Sequence, residues 1–91
     1  MKTLYLTLKK QWFDLINDGI KTEEYREIKP YWQTRLEDKA YDIVEFRNGY
    51  QKDAPKMAFK IKEIVKASGN AEWGATEGQT YYVIKLGERK N

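Results

Sequence analysis

Lys21, Glu24 and Arg26 are the residues of this chain whose types and spacing could do chemistry. They fall in the stretch GIKTEEYR, residues 19–26, where Lys21, Glu23, Glu24 and Arg26 put four charges into eight positions. In a regular strand side chains alternate between faces, so Glu24 and Arg26 share a face within ion-pairing reach. A Glu–Arg pair facing a cleft can read a planar polar ligand such as a nucleobase or its phosphate. A lysine beside them can give or take a proton if burial or Arg26 lowers its pKa. Alternation leaves Lys21 out of phase with the pair, so convergence of all three requires an irregular backbone near Thr22. The plain alternative is a solvated strand with cross-strand ion pairs, and composition alone favours it.

Three further stretches offer polar or aromatic groups. In FRNGYQK, Asn48-Gly49 is a turn signal flanked by Arg47 and Tyr50, which could pair with a phosphate and stack on a base. An ordinary hairpin turn explains the same residues equally well. In AEWGA, Trp73 sits among small residues in a loop, either as a stacking platform over a ligand or as an anchor plugging one end of the core. Glu72 beside it is a candidate acid or base. Lys56, Lys60, Lys62 and Lys66 fall mostly on one face of a strand, as a basic stripe for nucleic acid or, the better reading, as the solvent face of an edge strand.

These residues must be positioned by few elements. A chain of 91 residues has room for one domain, residues 1–91, and one modest core. Charged residues are 34% and hydrophobic ones 41%, the balance of a soluble globular protein. Three Trp and seven Tyr are more aromatic surface than core filling alone requires. The chain lacks Cys and His, which removes the thiol, the commonest general base and the commonest metal ligands, so no cofactor or metal is expected. A net charge of +3 permits a polyanionic partner without demanding one. No apolar run reaches the roughly 18 residues of a membrane span. With no signal-peptide pattern at the N-terminus, the expected location is the cytoplasm, away from membranes.

Periodicity gives an order of strand, helix, strand, helix, strand, strand, strand. TLYLTL alternates as a strand, KKQWFDLIND turns helical, and Gly19 suits the helix end. Residues 20–28 read as a strand, because a second helix there would leave the first strand short of partners. Pro30 suits the first turn of a second helix, with Tyr31, Trp32, Arg35 and Leu36 along one side. YDIVEFRN, KMAFKIKEIVKAS and TYYVIKLG complete the strands, and the middle one changes phase at Ile64 and Val65, which predicts a bulge. The architecture expected is α+β, mainly β: a small, partly open mixed barrel of about five strands with two helices.

Gly19, Lys21, Glu24 and Arg26 match the G-x-K-x-x-E-x-R pattern, and with the element order the chain resembles the ASCH domain family. The resemblance implies a PUA-like barrel whose cleft is lined by the motif and binds RNA or a nucleotide. One relative resembles an acetylcytidine amidohydrolase, in which a Thr nucleophile occupies the position of Glu24, helped by a Lys at the position of Lys21 and a Glu from a later loop. Glu72 or Glu77 would supply that last group here. Glu24 in place of Thr means that this mechanism does not transfer.

Three functions are thus open. The first is an RNA- or (modified) nucleoside- or nucleotide-binding domain, with Lys21, Glu24 and Arg26 for polar recognition and Tyr25, Tyr50 and Trp73 for stacking, joined by Arg47 and Asn48. The second is a small hydrolase, an acetylcytidine-type amidohydrolase or a ribonuclease, with Lys21 and Glu24 as acid–base residues and Glu72 in support. The third is an adaptor for a protein partner, using the aromatic loops as its surface.

Overall fold

The computed structural model describes residues Met1–Asn91. Its strands are β1 (Thr3–Leu8), β2 (Glu23–Glu27), β3 (Ile43–Asn48), β4 (Lys56–Ser68) and β5 (Thr80–Arg89). Helix α1 (Lys10–Asn17) joins β1 to β2, helix α2 (Pro30–Leu36) joins β2 to β3, and a 3₁₀ turn (Ala71–Trp73) lies between β4 and β5. This is the expected element order and the expected class, α+β and mainly β. The sheet order is β1-β3-β4-β5-β2, with β1 parallel to β3 and every other pair antiparallel.

The curl of the sheet comes from β4. Its first residues pair with β3, and the stretch from Phe59 to Ser68 pairs with β5. The register against β5 slips between Phe59 and Ile61 and again between Ile61 and Glu63. Such bulges bend and twist a strand, and here they wrap the sheet into a half-barrel. The bulge was expected at Ile64 and Val65; those residues pair regularly, and the irregularity lies one turn of the pleat earlier. β4 is also not an edge strand, since it sits third in the order. The edges are β1 and β2, which face each other across an open seam.

The interior of the half-barrel follows from alternation. Leu4, Leu6 and Leu8 of β1, Val44 and Phe46 of β3, Met57 and Phe59 of β4, and Tyr82, Ile84 and Leu86 of β5 form the main core. Phe13 and Ile16 of α1 and Leu36 of α2 close its ends. β5 is buried on both faces, because Tyr81 and Val83 pack with Ala75, Tyr25, Val65 and Ala67 in a second cluster. Helix α2 divides its aromatic residues. Trp32 and Leu36, four apart, face the core, whereas Tyr31 and Arg35 stack on each other on the outer side. The single side expected for these four residues is therefore two sides. No helix is long and apolar enough to cross a membrane.

Candidate functional site

The site begins at the end of α1. Gly19 takes φ +77°, a left-handed conformation that only glycine adopts without strain. Gly19 N–H donates to the Ile16 carbonyl and Ile20 N–H to the Leu15 carbonyl, the bonding of a Schellman motif. Lys21 N–H also donates to the Leu15 carbonyl, at 3.0 Å, so the chain turns back over the helix end before β2 starts at Glu23. This is the irregular start that the out-of-phase lysine required. Lys21 lies ahead of the alternating residues and is free to point inward with Glu24 and Arg26.

Lys21 and Glu24 are the only buried charged residues of the molecule, 2% and 6% exposed. Lys21 Nζ donates to Glu24 Oε1 at 2.8 Å and to the Glu23 carbonyl at 2.7 Å. It also lies 4.9 Å from the ring centre of Tyr25 and 5.5 Å from that of Trp12. Arg26 Nη2 donates to Glu24 Oε2 at 2.6 Å and, more weakly, to the Thr7 carbonyl at 3.4 Å. The Arg26 guanidinium stands 5.0 Å over the Trp32 ring. Its Nε is buried without a hydrogen-bond partner, leaving donor capacity unused. Two cations thus share one carboxylate, and the cluster holds one positive charge in excess. Burial pushes the Lys21 pKa below its ordinary value, against the pull of Glu24 in the opposite direction.

Strand pairing fixes which way the motif points. Glu24 lies opposite Ile84 and Arg26 opposite Tyr82, both on the core face of β5, so the pair projects into the barrel mouth. Tyr25 lies opposite Val83 and packs on the second cluster. Its hydroxyl donates to Glu23 Oε1 at 2.8 Å and accepts from Asn70 N–H at 2.9 Å. Its pKa is pushed up to about 12, chiefly by burial. Tyr25 therefore ties the 69–79 loop to β2. A second tie runs from Thr76 N–H to the Tyr81 hydroxyl at 2.8 Å. Gly74 presses on Trp12 so closely that an added Cβ would meet the ring at 3.0 Å.

Above the cluster opens a cleft of about 970 Å³ at the seam between β1 and β2. Glu24 and Arg26 reach its surface, with Lys9 and Lys10 at the start of α1. All three tryptophans of the chain, Trp12, Trp32 and Trp73, line it. So do Tyr25, Tyr50 and Tyr81.

The expected site residues divide by position. Glu24, Tyr25, Arg26, Asn48, Tyr50 and Trp73 line the cleft. Asn48 does so because it shares strand parity with Val44 and Phe46. Lys21 lies beneath the wall and not on it, so it holds Glu24 and has no surface for a ligand. Arg47 has the opposite parity to Asn48 and does not line the cleft; its guanidinium donates to the Gln51 carbonyl and braces the 49–55 loop. Glu72 is exposed on the 3₁₀ turn, where its N–H donates to Asn70 Oδ1 and its side chain is outside the cleft. Glu77 is likewise exposed and outside. Thr22 is exposed while Glu24 is buried, so its hydroxyl is not beside the carboxylate. Trp12, Trp32 and Tyr81 were not singled out for the site; the one signal in the sequence was the surplus of aromatics.

The chain matches no family model, no curated protein and no solved structure.

Proposed function

We propose that the cleft binds a nucleoside or nucleotide unit, as a free molecule or as part of a single-stranded RNA. The observation that carries this is the buried Lys21–Glu24–Arg26 cluster opening into a cleft lined by every tryptophan of the chain. Nucleobases are planar, apolar on their faces and polar at their edges. Aromatic walls supply stacking, and a fixed carboxylate and guanidinium supply an acceptor and donors for the edge. The excess positive charge and the unused Arg26 donor favour a ligand that brings a carbonyl or phosphate oxygen. The resemblance of the Gly19–Arg26 motif to the ASCH family supports the same reading.

Binding is preferred to hydrolysis on a specific ground. Both oxygens of Glu24 are engaged by cations, which draws electron density from the carboxylate and makes it a poor nucleophile while leaving it able to accept a further hydrogen bond. Lys21 could not reach a substrate without displacing Glu24, and Glu72 is elsewhere.

The tryptophans make the test direct. Ribonucleosides, their monophosphates and a short single-stranded RNA should quench or shift the intrinsic fluorescence with a saturable dependence on ligand. Arg26→Leu should weaken the binding by roughly tenfold or more, the loss of a charge-assisted hydrogen bond. Acetylcytidine should bind without turnover. Absence of any saturable change in the wild-type protein at low salt would overturn the reading, and turnover would replace it with the hydrolase.

A further inference from the structure

A second cavity, of about 540 Å³, lies on the outer side of α2 and is lined by Lys2, Tyr31, Thr34, Arg35, Lys39 and Tyr41. Three of these six are cations and none is an acid. None of the three forms an ion pair; other surface cations share that state, and what sets these three apart is that they meet around one cavity with no acid in its lining. The adjacent carboxylate, Asp42, is turned to the backbone and accepts from Lys2 N–H at 2.8 Å.

Two of the three cations are held by aromatic rings. The Arg35 guanidinium stacks 4.4 Å from the ring centre of Tyr31, and Lys2 Nζ stands 5.1 Å over the ring of Tyr41. The Tyr41 hydroxyl donates to the Arg35 carbonyl at 2.7 Å, fixing the two halves of the pocket together. An arginine stacked by its face keeps its N–H edge free, which is the edge that grips a phosphate. Like charges gathered without a counter-charge repel, and an anion between them relieves that cost.

Side chains in contact link this pocket to the cleft. Arg26 stacks on Trp32, Trp32 meets Tyr31 edge to face at 4.8 Å, and Tyr31 stacks on Arg35. That run, two rings between two cations, passes over α2 from one cavity to the other. A helix with its side chains is roughly 10–12 Å across, too wide for one nucleotide to span but within reach of a strand of a few.

We propose that the pocket of Lys2, Arg35 and Lys39 is a second binding site, which takes the phosphodiester backbone of a single-stranded nucleic acid while a base a few nucleotides along the same strand occupies the cleft. The ligand class rests on the nucleotide reading of the cleft; the convergence of unpaired cations does not.

The test is fluorescence anisotropy with a labelled single-stranded RNA decamer, over a range of salt concentrations. The probes are the wild-type protein, the triple variant Lys2→Gln, Arg35→Gln, Lys39→Gln, and a control triple variant on β4, Lys56→Gln, Lys60→Gln, Lys62→Gln. Each single-strand phosphate contact contributes about 0.7 to the slope of log affinity against log salt, so losing three should lower the slope by about 2 and weaken the decamer roughly tenfold or more at low salt. A mononucleotide should bind the α2 triple variant as it binds wild type. The β4 variant, with the same change in charge, should keep most of the decamer affinity. Equal losses in both variants would mean diffuse attraction and overturn the site, as would an unchanged slope in the α2 variant. Failure of the wild-type protein to bind the decamer at low salt would overturn it as well. Loss in the α2 variant with no effect of Arg26→Leu would leave this site standing and remove the cleft reading instead.

Discussion

Glu24 is the residue on which the buried cluster depends, because it is the one anion between two cations. Removing a partner from a buried ion pair costs far more than the pair itself contributes, since a charge is left without compensation. The three members are not equal under this rule. Glu24→Gln leaves Lys21 and Arg26 facing each other across a neutral amide, and should cost about 3–5 kcal/mol. Lys21→Met leaves Glu24 paired with Arg26 and keeps the buried volume. It removes a charged hydrogen bond, and should cost about 1–3 kcal/mol. Urea denaturation of the two variants gives the order directly. A larger loss for Lys21→Met would mean that the lysine and not the carboxylate organises the cluster. The Lys21 variant should also retain ligand binding better than Arg26→Leu, because Lys21 has no surface in the cleft.

At the scale of elements, α2 is fastened to β5 by one contact outside the site. The Tyr82 hydroxyl donates to Glu37, the residue capping the C-terminus of α2, and Lys66 of β4 pairs with the same carboxylate at 3.0 Å. The hydrogen bond to Glu37 raises the Tyr82 pKa from 10.0 to about 12. In the unfolded chain the phenol ionises near its ordinary value, so the stability it carries is full below pH 10.0 and is lost as the pH rises through about 12. The same bond, with Lys66 second, holds the Glu37 carboxyl below its ordinary 4.5. That contribution is present above pH 4.5 and is lost as the pH falls through the lowered value. The contact is therefore at full strength across the neutral range. The difference in unfolding free energy between wild type and Tyr82→Phe should be greatest at neutral pH and shrink on both flanks. Taking the difference cancels Tyr25, which loses stability over the same alkaline range, and Lys21, whose lowered pKa gives the opposite slope there. A difference that does not change with pH would show that the hydroxyl carries nothing through Glu37.

The same elements show what could be read from the chain alone. Alternation in TLYLTL, the break at Gly19 and the proline at the start of α2 are local signals with local causes, and each marks an element where it occurs. The inward turn of Lys21 was legible only as a condition, because the Schellman motif that satisfies it depends on carbonyls three and four positions before the glycine. The separation of Arg47 from Asn48 follows from strand parity, which was readable once Val44 and Phe46 were assigned to one face. Trp12 and Trp32 were not legible as site residues. Each lies on a helix whose apolar positions look like ordinary core, and only the open seam between β1 and β2 turns those positions toward solvent. Tyr31 and Arg35 were grouped with Trp32 and Leu36, since a four-residue apolar and basic run on a short helix does not reveal how it divides between two sides.

For the whole molecule, the open seam is both the weakness of the barrel and the place where a ligand would act. β1 and β2 are the edges of the sheet, and the hydrogen bond from Arg26 to the Thr7 carbonyl crosses between them at a long 3.4 Å. Edge strands open more readily than central ones, because each is paired on one side only. A ligand that fills the cleft would touch Thr7 and Leu8 on one edge and Glu24 and Arg26 on the other, and would join the two. Its effect should then be local in structure and global in energy. At a ligand concentration of about 100 times Kd, stability should rise by about 2.7 kcal/mol. For a domain of this size that corresponds to a melting temperature higher by roughly 10 °C or more. Hydrogen exchange should slow first in β1 and β2 and change little in the β3–β4 pairing. Arg26→Leu should remove both effects at the same ligand concentration. A rise in melting temperature without added protection at the two edges would place the ligand away from the seam.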